Sequence, residues 1–319
     1  MTKFVGRRGG VAIAKETSRG VAGTTLFWLP YAKMTFDDKT MTVRETQALG
    51  KIADGDSVYV TEQHGEGDVE SQVYDKALGL LLASVLGAVP VTTGGSPYTQ
   101  TYTLSNTNQP QSLSVYYQDP DYTKVFRNAV VDKWKMKVSM NAIVDHTFSF
   151  KSKVSADQSV ALTPNYTSLG SKFLHQHLSF KLASNIAGLA AATPVSLQSL
   201  ELNVDKNAIF DNALGTVEPE DILGTQLSVT GTIELNKTDD TYRQLMLAGT
   251  YKSMEIKLNG GANSSLQLQF PRVSFTAWEQ DRSLDKIVSQ KIQFTANYDA
   301  ANALDIISTA VLVNLQSSY

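Results

Sequence analysis

The 319-residue chain contains no cysteine. That single absence removes disulfides, cysteine-ligated zinc, thiol nucleophiles and iron–sulfur clusters, and it leaves the redox compartment open. Histidine is scarce as well, with four in the whole chain, so imidazole chemistry is confined to a few positions. Charge is thin and nearly balanced: 28 basic against 31 acidic residues give a net charge of −3, with no global attraction to phosphate. Long apolar runs are missing too. The most apolar stretch, Ala77 to Val91, is interrupted by Gly79, Ser84, Gly87 and Pro90, and it falls short of the ~20 residues that span a bilayer. Met1 to Glu16 carries Lys3, Arg7 and Arg8 and then a Gly9-Gly10 pair, with no apolar core of signal-peptide length. The expectation is a chain with no membrane span and no cleaved secretory leader.

What is present is enough apolar surface for a sizeable core, 42% hydrophobic and 9% aromatic residues. At ~150 residues per domain the length suggests about two domains. Alternation with period two dominates, the mark of strands with one face buried. In Trp134 to Val138 the apolar set is Trp134, Met136 and Val138, while Lys133, Lys135 and Lys137 project from the other face. The same pattern predicts strands at His146 to Lys151, Leu227 to Leu235, Lys252 to Leu258 and Ser289 to Tyr298. The fold class is therefore mainly β and antiparallel.

Helical spacing occurs in two places. Tyr74, Ala77, Leu78, Leu81, Leu82 and Val85 recur as one stripe within Val73 to Leu86. A shorter helix starts near Asp239 and Asp240 and carries Tyr242, Leu245 and Met246. The two expose an internal repeat, since Tyr74 and Tyr242 are 168 residues apart and the same offset lays Met34-Thr35-Phe36-Asp37 on Leu202-Asn203-Val204-Asp205. Phe150 falls on Phe294 with an offset of 144, leaving 24 extra residues in the first copy, which the Pro- and Gly-rich run Thr92 to Pro110 accommodates. The expected organisation is an N-terminal arm at 1–24 and two β domains at 25–160 and 161–319, the boundary lying within Ser155 to Ser171.

Few residues carry chemistry. His175 and His177 have H-x-H spacing, which on a strand puts both imidazoles on one face, yet that face is shared with Ser179 and Lys181 and reads as solvated. His64 sits in a glycine-rich acidic segment, Gln63 to Glu70, read as a loop. The acidic groups Glu66, Asp68, Glu70 and Glu218, Glu220, Asp221 match no calcium-loop spacing. No nucleophile elbow, phosphate loop or H-E-x-x-H is present. The lysine face with Lys151 and Lys153 lacks aromatic residues of its own, so it is no stacking platform for bases. No enzyme activity, cofactor or metal is expected.

Taken in order, several segments resemble one family, the tail tube (major tail) proteins of long-tailed bacteriophages and prophages, in a two-copy form. They are Val11 to Thr17 with Lys15-Glu16-Thr17 and Gly20, the strand Leu26 to Pro30, the long loop to Gly55, the helix Tyr74 to Leu86, and the strand pair Val130 to Met140 and Val144 to Lys153. In the second copy they are Ser199 to Val204, Leu227 to Leu235 and the helix at Tyr242. The resemblance implies two tandem tail-tube-like β-sandwich or barrel units, each with a flanking α-helix. It implies a structural virion protein, made in the host bacterial cytoplasm, whose rings stack into the tube that passes DNA during ejection without gripping it. Two units per chain imply a homotrimeric ring with pseudo-sixfold symmetry, the alternative being a hexamer. Tape measure, tail terminator and distal tail proteins are the implied neighbours. The arm Met1 to Gly23 and the loop Asp37 to Gly55 are expected to order only between rings, making Arg7, Arg8, Lys39, Arg44 and Glu45 inter-ring contact candidates. Tyr74, Leu78, Leu81, Leu82, Tyr242, Leu245 and Met246 are the expected helix core. From another class, a carbohydrate-binding or adhesin-like β-sandwich using Tyr116-Tyr117 or Tyr98 to Tyr102 is the competing reading.

Overall fold

Strands in this chain bury alternate residues, and the protein is mainly β, with two α-helices among the described residues. The computed structural model describes residues 5–47, 50–52, 55, 57–158 and 162–319. Its first half comprises β1 (Gly10–Lys15), β2 (Phe27–Leu29), β3 (Tyr31–Met34), β4 (Asp37–Arg44), β5 (Val58–Gln72), α1 (Asp75–Leu86), β6 (Val91–Thr93), β7 (Tyr98–Tyr102), β8 (Leu113–Gln118), β9 (Thr123–Ser139), β10 (Asp145–Ser152) and β11 (Ser155–Asp157). The second comprises β12 (Leu178–Ala183), β13 (Ser199–Asp205), β14 (Ala208–Asp211), β15 (Asp221–Gly224), β16 (Ser228–Asn236), α2 (Thr241–Leu247), β17 (Lys252–Asn259), β18 (Ser265–Asp281), β19 (Ser289–Asn297) and β20 (Thr309–Asn314).

One antiparallel sheet crosses both halves in the order β3–β5–β10–β9–β13–β16–β19–β18. The strands β9 and β18, 17 residues each, are long enough to serve two sheets. Their first parts pair with β8 and β17, and their second parts join the central sheet. An extra residue, Asp132 in β9 and Thr276 in β18, marks the change, as a bulge bends a strand out of one sheet into another.

The pairing order β3–β5–β10–β9–β8–β1 of the first half recurs as β13–β16–β19–β18–β17–β12 in the second. The irregularities recur with it: Arg127 and Asn128 oppose Ser114, and Pro271 and Arg272 oppose Ser253. By register Met34 corresponds to Leu200, Gly67 to Gly231, Val115 to Met254, Trp134 to Trp278 and Phe150 to Phe294. The offset is therefore 166 at Met34, where the single value of 168 lands two residues along on Leu202, because the connections between strands differ in length. The offset of 144 at Phe150 agrees with the register. Gly67 and Gly231 are equivalent for a physical reason. A Cβ at Gly67 would lie 2.5 Å from the Thr35 carbonyl oxygen, and one at Gly231 2.4 Å from that of Glu201, so the neighbouring backbone excludes any side chain.

Most of the apolar faces meet in a contiguous buried cluster that runs from Val11 to Leu312 and so belongs to both halves. Inside it lies α1, buried from Ala77 through Leu86, with Leu78, Leu81 and Leu82 fully covered. Tyr74 is the residue that caps its start, and Gly87, at φ 89°, closes its end in the left-handed conformation glycine tolerates. The chain's last residue clamps the helix: the Tyr319 ring fills the space beside Gly79, and its hydroxyl donates to the Lys76 carbonyl at 2.6 Å. In α2 Tyr242 is buried edge-on to Phe275, while Leu245 and Met246 are half-buried against the same core.

Several expectations are corrected. Residues 10–15, assigned to the arm, form a strand between β2 and β8 in which Val11, Ala12, Ile13 and Ala14 are fully buried. Asp37 to Arg44 is a strand paired along β5, and Gln63 to Glu70 lies inside β5. Glycine marks close packing in that strand, since a Cβ at Gly65 would meet the Ser152 hydroxyl at 2.2 Å. The insertion Thr92 to Pro110 holds the β6–β7 hairpin, and β7 extends the second half's sheet by pairing with β20. The boundary expected between 160 and 161, the arm residues 1–4, and 48–49 and 53–54 of the expected loop lie outside the described residues.

Candidate functional site: a polar sheet face with two open edges

The central sheet turns Trp134, Met136, Phe148, Leu200, Leu202, Ile233 and Phe294 into the core, so strand parity sends its polar residues to one continuous outer face. On that face nine carboxylates, Glu66, Asp68, Glu70, Asp145, Glu201, Asp205, Glu234, Glu279 and Asp281, stand among six lysines, Lys33, Lys133, Lys135, Lys137, Lys151 and Lys291. The face is net acidic. The remaining positions are mostly Ser, Thr, Asn and Gln, among them Thr147, Asn203, Thr230, Thr232 and Gln293.

The seam between the halves runs across this face. Lys133 lies 3.3 Å from Asp205 directly opposite, and Lys135 lies 2.9 Å from Glu201, tying β9 to β13. The Asp205 carboxylate holds the Lys133 ammonium above its ordinary pKa. Burial acts to raise the Glu201 carboxyl, but hydrogen bonds from Lys135 and Asn203 outweigh it and leave it lowered. Both pairs are substantially exposed and contribute little to stability; they fix register.

At each end of the central sheet an edge is open. Tyr31 to Met34 of β3 pairs with β5 on one side, and no strand covers the other among the described residues. Ala277 to Asp281 of β18 pairs with β19, and its second edge is likewise uncovered among the described residues. These are the two positions whose counterparts, β13 and the second part of β9, pair with each other inside the chain. Lys33 and Lys39 mark the first edge, Glu279 and Asp281 the second. Asp38, also at the first edge, is already engaged by Lys124 at 3.2 Å and by the Ser155 amide and hydroxyl at 2.8 and 2.7 Å.

The contact candidates fall in two places. Arg7 and Arg8 are exposed on a 3-10 turn, Gly6–Arg8, ahead of β1. Lys39 and Arg44 are exposed on β4, and Glu45 follows it, half-buried. They do not converge with Arg7 and Arg8 into one site. His175–His177 is a 3-10 turn rather than the expected strand, since β12 begins only at Leu178; in the turn His177 Nδ1 accepts from the Leu174 amide at 3.1 Å. His64 packs on Phe210, ring centres 4.3 Å apart, with Nδ1 3.0 Å from the Glu62 carboxylate. Among the described residues no group of three His, Asp or Glu side chains is arranged to hold a metal ion, and no helix is long and apolar enough to cross a membrane.

Two polar clusters escaped the sequence. Glu16, 2% exposed, accepts from the Gly20 and Asn128 amides and from the Ser112 and Ser114 hydroxyls, all within 2.9 Å. Arg19 crosses the seam to Asp221, its Nη2 at 2.7 Å, and donates to the Pro110 and Ile222 carbonyls. Neither has a sequence signal, because the partners are distant in the chain.

Residues 6–302 match the model of a family described as phage tail tube protein. No curated protein sequence matches the chain.

Proposed function

The chain belongs to the phage tail tube protein family, and we propose that its subunits close head to tail into three-membered rings that stack as the hollow tube of the tail, the conduit for DNA. The observation that carries the reading is the seam: β9 and β13 join two equivalent sheets inside one chain, and the same two edges stand open at the chain's ends. Exposed backbone donors and acceptors on a sheet edge are an invitation to pair, and barrel closure removes every such edge. On this reading the two halves are tandem copies of one tube unit, and three chains supply six. A barrel's diameter grows with its strand number, so six chains would give a pore far wider than duplex DNA.

The net acidic, hydroxyl- and amide-rich face then lines the lumen, where it offers a polyanion few cations to release its counterions onto. DNA slides rather than binds. The role is structural and non-enzymatic, in the tail of a virion assembled in the host cytoplasm, with tape measure, terminator and distal tail proteins at the tube's contents and ends.

Electron microscopy of the purified protein at high concentration tests this. Rings or tubes with true threefold and approximate sixfold symmetry are expected; six chains per ring would refute the trimer, and a protein that stays monomeric at all concentrations would refute self-assembly. Arg7 and Arg8 are read as ring-to-ring contacts. Deleting Met1 to Arg8, ahead of β1, is expected to leave the circular dichroism spectrum and melting curve unchanged while tube growth fails. Unimpaired tubes would remove this segment from the stacking surface.

A further inference from the structure

The hairpin β14–β15 continues β13 and β16 and folds back across the seam onto the first half. There Ala208 and Ile222 form a buried cluster with Val130 of β9. The Ala208 amide donates to Asp132 Oδ1 at 2.7 Å, Lys151 Nζ donates to the Ala208 carbonyl at 2.6 Å, and Asn128 Nδ2 donates to Asp221 at 2.9 Å.

The first half contains the same hairpin, and among the described residues its apolar side chains stand in solvent. Thr42 opposes Val60, Val43 opposes Tyr59 and Arg44 opposes Val58, matching Ala208 with Gly224, Ile209 with Leu223 and Phe210 with Ile222 at offsets of 166 and 164, those of the central-sheet strands they continue. Ile222 is fully buried, but its counterpart Val58 is 61% exposed, and Tyr59, Val43 and Met41 are each more than half exposed. A two-stranded ribbon with this much apolar surface in solvent needs a partner.

The matching dock is also present and open. The counterparts of Asn128, Val130 and Asp132 are Arg272, Ser274 and Thr276, and the first of them, Arg272, lines a surface cleft with Ile186, Tyr251 and Leu304. The Arg272 guanidinium lies over the Tyr251 ring, 3.7 Å from its centre. Glu45, the counterpart of Asp211, is cross-strand from Ser57, the counterpart of Asp221. At the seam Arg19 and Asp221 pair a guanidinium with a carboxylate, and a ribbon docked in the same way would bring Glu45 to Arg272.

We propose that the β4–β5 ribbon of each subunit lies across β18 of the preceding subunit, in the cleft beside Arg272, as β14–β15 lies across β9. The occupant is a second copy of this chain. The contact is lateral, within a ring, which reassigns Arg44 and Glu45 from the inter-ring surface. It rests on the head-to-tail reading above, and the test separates the two.

The chain has no cysteine, so introduced pairs report cleanly. Val58→Cys with Ser274→Cys probes the ribbon, being the counterpart of Ile222 and Val130; Lys39→Cys with Ala277→Cys probes the open edges, being the counterpart of Asp205 and Lys133. Assembled tubes are oxidised with copper phenanthroline and run on non-reducing gels. Both pairs are expected to give covalent dimers and trimers, absent from dilute monomer. Cross-linking by the edge pair alone overturns the ribbon proposal and leaves the ring reading standing. Cross-linking by neither pair in tubes overturns both.

Discussion

Replacing Glu16 with alanine is expected to lower the unfolding free energy of the unassembled subunit by about 3–5 kcal/mol, summing the buried hydrogen bonds to a carboxylate that are lost and the donors left unpaired. Four donors converge on this side chain. Two are backbone amides, of Gly20 beyond β1 and of Asn128 in the irregular stretch of β9, and two are hydroxyls on β8 and just before it. At 2% exposure the site is closed to bulk solvent, so the four donors lose their acceptor with the carboxylate. Asn128 adopts φ 52°, a strained conformation for a residue other than glycine, which the bond from its amide to Glu16 helps to hold. Glu16→Gln keeps one acceptor oxygen but turns an NH2 group toward donors, so it is expected to lose about 1–3 kcal/mol. Urea unfolding of the monomer checks both: the midpoint falls in the order wild type, Gln, Ala with the slope unchanged. Equal midpoints for Ala and wild type would mean that the network carries no stability.

What the sequence disclosed follows from how many faces of each element are covered. Strands with one buried face, such as Trp134 to Val138 and His146 to Lys151, alternate and are legible. In β1 both faces are covered, so Val11 to Ala14 is an unbroken run of small apolar residues with no period, and beside Gly9-Gly10 it reads as an arm. Gly65 and Gly67 suggest a loop for a different reason. Glycine signals a turn by its conformational freedom, but here it makes room for Ser152, Phe126 and Thr35. In the sequence the expected repeat rests on its two helices and on Phe150 and Phe294, while the recurring order of strand registers appears only in the pairings. The open edges had no linear signature. An edge differs from an interior strand by what is missing beside it, and only the recurrence of β9–β13 without its counterpart reveals that.

Acid is expected to weaken the subunit through one buried imidazole. His146 on β10 is 3% exposed, its ring edge-on to Phe148 with centres 4.7 Å apart, and neither ring nitrogen has a protein hydrogen-bond partner. Burial pushes its pKa down from 6.5 to about 3, since desolvation disfavours the charged imidazolium. The unfolded chain therefore binds a proton that the folded chain refuses between about pH 6.5 and pH 3, and stability falls as pH is lowered through that window. Each pH unit well inside it costs about 1.4 kcal/mol, so going from pH 7 to pH 5 removes about 2 kcal/mol through this group. Below about pH 3 the loss is complete, at roughly 4–5 kcal/mol. His146→Leu removes the titration and two unpaired polar atoms together, and the side chain it leaves matches the apolar surroundings of Phe148 and Met136. The variant is expected to equal or exceed the wild type at pH 7 and to gain on it steadily toward pH 4. Carboxylates held low in the folded state, such as Asp38 and Asp221, lose their contribution in both proteins at the acid end, so the difference between the two curves isolates the histidine. Urea midpoints of both monomers at half-unit steps from pH 7 to pH 4 measure it, and parallel curves would show that His146 is protonated in the fold as readily as in the unfolded chain.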